Sequence, residues 1–395
     1  MKVAIVTSGI LPVPPIKGGA VENLVKFYLD YNEIRSGDIQ FTVFSVYDNN
    51  ISSKSLQEYK KTKFVFIKTH TYISKLRQFL LKWTKRNLYY HHSWEYFALK
   101  VSDRIRKDNF DVVVVENRPG FIFSLSNCSE AIFILHLHND MLNRDTLFSS
   151  EILNSYASVL VVSKYIKQRV NSILPTDKVH VLYNGIELEN FREVHKSDIT
   201  RKNFNLSEDD FVVVYTGRIE AVKGIKELLD AFSYLINYEK IKLLIVGGGN
   251  RNIDESDFFL EMKNLSSSML GKINFIGFQS YENIPAILNL CDIAVVPSIW
   301  EEPLSLTSLE DMATGLPLVV TRSGGIPEIV NEKCAIMIEK DDALSLNISK
   351  AILDLYHNED KRRSMSEQAK IRSALFSKEK YALSFLEYIE QMLCP

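Results

Sequence analysis

Cysteine is scarce in this chain, with four among 395 residues, at positions 128, 291, 334 and 394. They are too few and too scattered for a disulfide framework or a CxxC zinc site. Long apolar runs are also missing, since none approaches the roughly 20 residues that a membrane-spanning helix needs. The opening MKVAIVTSGI holds only one strand's worth of apolar residues before glycine and proline, unlike a secretion signal. These absences predict a soluble, cytoplasmic protein with reduced and mostly buried thiols.

Glycine and proline are not enriched, at 16 and 11 residues. Positive and negative charges are nearly balanced, because the formal net charge is −2. With 46% hydrophobic and 24% charged residues, the composition excludes a collagen-like, low-complexity or disordered chain. The charge balance gives no indication of a nucleic-acid partner. The length exceeds the roughly 250–300 residues at which one core stops growing, so two domains are expected.

Short apolar runs alternate with helical patterns in both halves of the sequence. Strands are predicted at residues 2–7, 41–46, 64–67, 111–115, 132–137 and 159–162, and again at 211–216, 242–246, 273–276, 293–296 and 318–321. Continuous apolar strands that alternate with helices are typical of a parallel α/β sheet. We therefore predict two doubly wound domains, at residues 1–190 and 205–376. The crevice at the carboxyl ends of their strands is the default ligand site.

Residues 298–310, SIWEEPLSLTSLE, are the most informative stretch. They follow a predicted strand, open a helix and place Glu302 and Glu310 eight positions apart, about two helical turns. With the helix beginning around Pro303 or Leu304, the amides of residues 304–308 would be free to bind an anion. The two carboxylates could then accept hydrogen bonds from vicinal hydroxyls, which sugars and ribose both offer.

The motifs around this stretch form an ordered series. Downstream come Gly315-Leu316-Pro317 and Gly324-Gly325-Ile326-Pro327-Glu328, and upstream come Gly18-Gly19, Asn184-Gly185, Gly217-Arg218 and Lys223-Gly224. The series resembles the signature of the family 4 glycosyltransferases, which are retaining nucleotide-sugar enzymes of the GT-B fold. That resemblance implies two Rossmann-like domains facing across a deep cleft, with a last helix, residues 377–395, crossing back to the first domain.

The resemblance also implies a role for each candidate residue. Arg218 and Lys223 would neutralise the leaving diphosphate, Glu310 would hold the ribose hydroxyls and Glu302 a hydroxyl of the donor sugar. His138, just past a predicted strand, would lie beside the reacting carbon. The expected donor-binding set is Gly18, Gly19, Arg218, Lys223, Glu302, Leu304, Ser305, Leu306 and Glu310, and the expected catalytic set is His138, Arg218, Lys223 and Glu302.

No Asp-x-Asp pair occurs in the sequence, so neither a metal nor another cofactor is expected. His136 lies two positions before His138 on the same strand face. No carboxylate of the N-terminal half stands out as a general base, in keeping with retaining chemistry. Two positions depart from the family pattern: Ser305 puts a side chain where backbone should approach the ligand, and Asp311 follows the second glutamate without an evident reason.

Positive charge is concentrated in residues 60–107, which hold thirteen basic and two acidic residues, a net charge of +11. Within this window, residues 76–83 have helix-like apolar spacing, and Tyr89, Tyr90 and Trp94 follow. Cations with aromatic residues on one amphipathic element suit an anionic membrane surface. The alternative is a solvated helix with one buried face.

The predicted reaction is sugar transfer from a nucleotide-diphosphate sugar, expected to be UDP-linked, to a hydroxyl of a cell-surface glycan or lipid-linked acceptor. An epimerase of the same fold, acting on a UDP-sugar, is the first alternative. An oxidoreductase is the second, suggested by VGGG at 246–249, but the sixth position of the dinucleotide motif is Asn252 and not glycine. A non-catalytic sugar-binding protein is the third.

Overall fold

The computed structural model describes residues 1–52, 56–73, 75–76, 91–192, 198–248, 257–269 and 271–393. The chain divides into two compact units. The first unit consists of Met1–Gly185 together with Lys378–Pro395, and the second consists of Ile186–Ser377. Each unit is built on its own parallel sheet, and each is described by itself below.

Seven strands form the sheet of the first unit, in the spatial order β3-β2-β1-β4-β5-β6-β7, and every neighbouring pair is parallel. The strands are β1 (Lys2–Val6), β2 (Gln40–Val46), β3 (Thr62–Ile67), β4 (Val112–Glu116), β5 (Ile132–Leu137), β6 (Ser158–Val161) and β7 (Val179–Val181). Because β1 lies between β2 and β4, the chain order reverses there, which is the doubly wound arrangement.

Six strands form the sheet of the second unit, in the order β10-β9-β8-β11-β12-β13, again all parallel. They are β8 (Phe211–Thr216), β9 (Ile241–Val246), β10 (Ile273–Gly277), β11 (Ile293–Val296), β12 (Leu318–Thr321) and β13 (Ala335–Ile338). The reversal falls at β8 and β11, so the loops after these two strands leave the sheet at its topological switch point.

Helices connect the strands in both units. They are α1 (Ala20–Ile34), α2 (His92–Ile105), α3 (Ile122–Leu125), α4 (Ser149–Ser155), α5 (Lys164–Asn171), α6 (Leu188–Arg192), α7 (Ile225–Ser233), α8 (Asp257–Ser266), α9 (Ile284–Leu288), α10 (Leu306–Thr314), α11 (Ile326–Ile329), α12 (Leu344–His357), α13 (Glu359–Ser373) and α14 (Lys378–Gln391). None in the described ranges is long and apolar enough to cross a membrane.

Helix α14 completes the core of the first unit. Helix α1 buries Leu24, Val25, Tyr28 and Leu29 along one face, the spacing of an amphipathic helix. The ring of Tyr28 stacks on that of Phe385 in α14, with the ring centroids 4.0 Å apart. The last helix therefore packs against residues that lie about half the length of the chain or more before it in the sequence.

The predicted strands agree with the structure to within two residues at each end. Two short strands, β7 and β13, were not predicted, and β7 has only three residues, which are too few to show periodicity. The sequence pattern also favours helices at residues 225–236 and 283–290, and the helices there are shorter, covering Ile225–Ser233 and Ile284–Leu288. Helix ends are set by local capping, which apolar spacing does not reveal.

Helix α10 carries a buried acid, Asp311, that is only 1% exposed. Its Oδ1 atom has no hydrogen-bond partner among the described residues. Burial, reinforced by the charge of Glu310, raises the pKa of Asp311 well above its usual value. The folded protein therefore holds the carboxyl neutral at a pH where the unfolded chain ionises it, and folding at neutral pH takes up a proton.

Replacing this carboxyl by a neutral amide, Asp311→Asn, should make the protein more resistant to urea at and above neutral pH. For a raised acid pKa, the contribution to stability is full below the unfolded pKa and is lost as pH rises toward the folded pKa. The gain of the variant over the wild type should thus shrink as pH falls toward about 5. Urea titrations at several pH values measure it, with exposed Asp342→Asn as the control. A variant less stable than the wild type at every pH would contradict the assignment.

Candidate active site

The polar residues of the second unit gather in the loops that follow β8, β11 and β12. Glu302 lies in the loop after β11 and is 7% exposed. Lys223 donates from Nζ to Glu302 Oε1 over 2.6 Å, and Ser298 donates from Oγ to the same oxygen over 2.7 Å. A buried carboxylate is tolerated when it is paired and hydrogen-bonded in this way. The structure therefore brings together two predicted site residues, Lys223 and Glu302.

Two glycine loops hold this pair in place by close backbone contact. A Cβ atom on Gly324, which has φ +50°, would lie 2.0 Å from the carbonyl oxygen of Glu302. The next residue, Gly325, donates its N–H to that same oxygen over 2.7 Å. A Cβ atom on Gly224, with φ +73°, would lie 1.9 Å from the carbonyl oxygen of Pro297. The glycines of the sequence signature are thus the residues that allow the three loops to meet.

Arg218 is placed differently from the other predicted contacts. Its side chain is 54% exposed, and Nη1 donates to Glu220 Oε1 over 2.7 Å. An ion pair this exposed contributes little to stability. The guanidinium is therefore held loosely after β8, where it can exchange Glu220 for another anion at small cost.

Helix α10 begins later than the sequence predicted. It starts at Leu306, with Ser305 as its N-cap, and not around Pro303 or Leu304. The Oγ atom of Ser305 accepts a hydrogen bond from the N–H of Ser308 over 3.2 Å. The expectation of free amides through residue 308 is therefore wrong for Ser308, because the cap satisfies that donor.

The same capping explains the departure at position 305. The Ser305 side chain is 4% exposed and turns back onto its own helix, where the Ser308 hydroxyl also donates to it over 2.8 Å. It does not project from the loop. Leu304 beside it is buried as well. Leu306 and Thr307 occupy the first helical turn, where backbone N–H groups have no partner within the helix.

Glu310 lies eight residues after Glu302 and is 9% exposed. It accepts a hydrogen bond from the hydroxyl of Tyr281 over 3.0 Å. Burial outweighs this bond and raises the pKa of Glu310 to about 7. Tyr281 follows β10 and was not singled out in the sequence, where one tyrosine in a polar loop carries no signal. Glu310 is thus a carboxyl that is poised between its neutral and ionised forms at physiological pH.

In the first unit, the predicted Gly18 and Gly19 immediately precede α1 and have φ values of +70° and +115°. A Cβ atom on Gly19 would lie 2.2 Å from Glu22 Oε2. Glu22 is buried and accepts a hydrogen bond from Ser8 Oγ over 3.1 Å. Among the described residues, no heavy atom lies within 4 Å of such a position on Gly18. Gly19 is therefore required by its own loop, whereas Gly18 is required only by its backbone conformation.

His138 follows β5 and is in contact with a carboxylate that the sequence analysis missed. Glu116, the last residue of β4, is fully buried, and its Oε2 lies 2.9 Å from His138 Nε2 and 3.1 Å from His136 Nδ1. The hydroxyl of Tyr28 donates to Glu116 Oε1 over 2.9 Å. Glu116 was not singled out in the sequence. The available signal was a charged residue ending the run of four valines in β4.

The charges in this cluster oppose each other. Burial would raise the pKa of Glu116, but the imidazoles of His136 and His138 outweigh it and lower the pKa to about 2. Burial lowers the pKa of His138 to about 4, assisted by His136. Glu116 is therefore an anion and His138 a neutral ring at physiological pH. Glu116, His136 and His138 are also residues of metal-binding type whose ligand atoms lie within 4.8 Å of one another.

Two family models match this chain, one after the other. The model for Glycosyltransferase Family 4 matches residues 54–190, and the model for Glycosyl transferases group 1 matches residues 196–372. The first match, except for its last five residues, lies in the unit that carries His138. The second match lies in the unit that carries Lys223, Glu302 and Glu310.

Several curated proteins are similar over most or part of the chain. Spore coat protein SA of Bacillus subtilis is 25% identical over 94% of this chain and 94% of its own length. A lipopolysaccharide 1,2-N-acetylglucosaminetransferase of Salmonella typhimurium is 26% identical over 74% of this chain and 75% of its own. An Escherichia coli galactosyltransferase named for UDP-Gal and an α-D-GlcNAc-diphosphoundecaprenol acceptor is 32% identical over 42% of each chain.

Solved structures match the fold along the whole chain. Anabaena Alr3699/HepE, crystallised in complex with UDP, has a TM-score of 0.74 and 18% identity, covering 99% of this chain and 100% of that one. At that identity the likeness concerns the fold, which is GT-B. Because both family models match in order and curated glycosyltransferases align with the sequence, the chain belongs to the family 4 glycosyltransferases.

Proposed function

We propose that this glycosyltransferase transfers a sugar, with retention of anomeric configuration, from a UDP-sugar to a hydroxyl of a growing cell-surface glycan or lipid-linked acceptor. The observation that carries the proposal is the pair of buried carboxylates Glu302 and Glu310 on the loop and helix after β11. Both are of the residue type that binds the vicinal hydroxyls of a sugar or a ribose.

The leaving group is a nucleoside diphosphate, which gains negative charge as the glycosidic bond breaks. Arg218 and Lys223 supply positive charge for it, and the first-turn amides of α10 near Leu306 supply hydrogen-bond donors. Arg218 can leave its exposed partner Glu220, while Lys223 is already oriented by Glu302. Preorganised charges of this kind stabilise a transition state without needing a metal ion, and we propose that the reaction is metal-independent.

Glu310 is proposed to hold the ribose and Glu302 the donor sugar. An ionised carboxylate accepts hydrogen bonds from hydroxyls, so ribose binding favours the ionised form of Glu310, whose pKa is raised to about 7 by burial. Lys223 keeps the charge of Glu302 compensated before and after the sugar binds. His138 is proposed to contact the donor sugar, and Gly18 and Gly19 to line the donor, as the resemblance implies.

Support for UDP and for the acceptor comes from the similar proteins. Matched structures of Alr3699/HepE hold UDP, and one relative is named for UDP-Gal. The acceptors in the relatives' names are lipopolysaccharide and a diphosphoundecaprenol-linked sugar. An acceptor that is fixed to a lipid would require the enzyme to work at a membrane surface.

The two glutamates should separate in a binding experiment. Glu310→Gln should weaken the binding of free UDP about ten- to a hundredfold, because a hydrogen bond to a charged acceptor contributes about 1.5–3 kcal/mol and ribose is present in UDP. Glu302→Gln should leave UDP binding unchanged and lower the use of the whole UDP-sugar by a similar factor. Calorimetry with UDP and rate measurements with the UDP-sugar give the two numbers.

A pH series is the control for this assignment. Wild-type affinity for UDP should fall as pH drops through about 7, because protonated Glu310 no longer accepts both ribose hydroxyls. That step should be absent in Glu310→Gln, whereas the protonation of the phosphate affects both proteins alike. If both variants bound UDP equally poorly, the division of roles would be wrong.

Removing either cation should damage turnover. Arg218→Ala and Lys223→Ala should each lower kcat by about a hundredfold or more, since each removes charge stabilisation that grows in the transition state. Because Lys223→Ala also leaves Glu302 buried without its partner, the double variant Lys223→Ala/Glu302→Gln controls for lost stability and should melt at a higher temperature than the single one. EDTA should not change the rate. Loss of activity in EDTA that magnesium or manganese restores would refute the metal-independent mechanism.

A membrane surface is the proposed partner of the basic segment 60–107. Most of its centre, residues 77–90, lies outside the described residues, including Arg77, Lys82, Lys85 and Arg86. Beside that gap the structure exposes Tyr72 at 94%, Ile73 at 60% and Leu76 at 59%, next to exposed Lys75. Exposed apolar side chains beside cations are what an interfacial element presents to anionic lipid. Trp94 does not fit that role, because it stacks on the guanidinium of Arg118 at 3.6 Å.

Binding to anionic vesicles should therefore depend on salt and on this segment. Each cation near an anionic surface contributes about 1 kcal/mol. Changing Lys75, Arg77, Lys82, Lys85 and Arg86 together to glutamine should abolish co-sedimentation with phosphatidylglycerol vesicles and leave UDP binding intact. Changing the same number of basic residues outside the segment, at Lys240, Lys242, Lys263, Lys361 and Arg363, is the matched control. A wild-type protein that ignored such vesicles at low salt would disprove the membrane proposal.

A further inference from the structure

The buried carboxylate of Glu116 has three hydrogen-bond donors and no role in the proposed reaction. It receives the hydroxyl of Tyr28 from α1 and ring nitrogens of His136 and His138 from β5. An ionised carboxylate only accepts hydrogen bonds, so each of these nitrogens must carry a proton. The geometry thus fixes the tautomers: His136 is protonated at Nδ1 and His138 at Nε2.

The second ring nitrogen of His138, Nδ1, is not used in the contact with Glu116. The His138 side chain is 4% exposed, and its Nδ1 has no hydrogen-bond partner within the described ranges. Since Nε2 carries the proton and the ring is neutral, Nδ1 holds a lone pair that can accept a hydrogen bond. An unpartnered buried acceptor of this kind is suited to a hydroxyl that arrives with a ligand.

Packing behind the cluster prevents the rings from turning away. The rings of His136 and His138 lie 4.1 Å apart, centroid to centroid. His136 stacks against Tyr381 and Phe385 of α14, with centroids at 6.3 and 5.8 Å. The backbone N–H of His138 donates to the Asn117 side chain over 3.0 Å, so both the ring and the backbone of His138 are held by the end of β4.

We propose that Glu116 is a positioning residue for His138: it fixes the imidazole in the Nε2–H tautomer, so that Nδ1 accepts a hydrogen bond from a hydroxyl of the donor sugar. The inference rests on the proposed role of His138 at the donor. In this proposal His138 acts as a hydrogen-bond acceptor, and Glu116 holds it in the tautomer that can accept. The pairing follows from sheet register, because β4 and β5 place Glu116 directly opposite His136.

The groups around His138 act on its pKa in both directions, and burial, which lowers it, is the largest effect. Around Glu116 and His138 the titratable or charged groups are Tyr28, Glu22, Arg118, His136 and Tyr381. Asn184 also lies beside His138, and its side-chain hydrogen bond acts to raise the pKa of His138, against the larger lowering by burial. If the Asn184 amide were reversed, its NH2 group could donate to Nδ1, which is the internal competitor of a sugar hydroxyl.

Nitrogen NMR of the imidazole rings tests the proposal on the wild-type protein, without any assay of transfer. The His138 ring, assigned from a His138→Gln sample, should show the Nε2–H tautomer and should not titrate between about pH 5.5 and 8, since its pKa is lowered to about 4 by burial. A charged ring at neutral pH, or the Nδ1–H tautomer, would overturn the proposal. This outcome does not depend on which sugar is transferred.

The variant Glu116→Gln tests the functional consequence. The glutamine amide has only one oxygen to accept hydrogen bonds, so it cannot hold both imidazole rings in the required tautomers. We therefore expect kcat to fall about 10- to 100-fold, the size of effect seen when a residue that orients a functional histidine is removed. The reaction measured is UDP release from whichever UDP-sugar protects the protein best against heat. Binding of free UDP should be unchanged, so its loss would mark a failure of folding or of the proposed donor site. An unchanged kcat in a folded Glu116→Gln protein would overturn the proposal.

Two further proteins separate positioning from simple stability. Tyr28→Phe removes a donor to Glu116 but leaves both imidazole contacts, so kcat should stay within about threefold of wild type even if the melting temperature falls. Glu116→Asp keeps the charge and should recover part of the activity lost in Glu116→Gln. Metal analysis completes the test, because a stoichiometric metal ion lost in Glu116→Gln would mean that the cluster binds metal instead.

Discussion

Parallel pairing of the strands is the constraint on which the candidate site depends. In a parallel sheet all carboxyl ends lie at one edge, so residues that are far apart in the chain meet if each follows a strand. In the second unit this brings Lys223, which follows β8, to Glu302, which follows β11. In the first unit it brings Glu116 at the end of β4 to His138 just past β5. Strand order and register therefore determine which polar side chains become neighbours.

Polar neighbours at such an edge are stable only if their charges are compensated. Lys223 and Glu302 neutralise each other, and Ser298 satisfies the same carboxylate. Glu116 is satisfied by the hydroxyl of Tyr28 and by ring nitrogens of His136 and His138. The glycines at 224 and 324 serve the same end, because a Cβ atom at either would collide with a neighbouring carbonyl. The loops must pack closely so that the buried polar groups can reach the partners that compensate their charge.

The sequence predicted what depends on local pattern and missed what depends on partners across strands. Continuous apolar runs gave most strands to within two residues, and the motif at residues 298–310 pointed to Glu302 and Glu310, which the structure buries. Ser305 was misread, because whether a serine projects or caps its own helix depends on where the helix begins. Glu116 was missed, because the side chains that it contacts, His136 and His138, lie some twenty residues later in the sequence. Tyr281, which donates to Glu310 from the loop after β10, was missed for the same reason.

Glu116 and Glu310 show how partners decide the behaviour of equally buried acids. Both are almost inaccessible to water, yet the pKa of Glu116 is lowered to about 2 and that of Glu310 is raised to about 7. Burial disfavours the charge of both, but Glu116 has two imidazoles and a phenol, whereas Glu310 has a single phenol. A permanent anion suits a residue that must orient another ring in every state of the enzyme. A carboxyl that accepts one hydrogen bond can accept others from a ligand that brings hydroxyls, which is why Glu310, and not Glu116, is the acid expected to respond to the nucleotide.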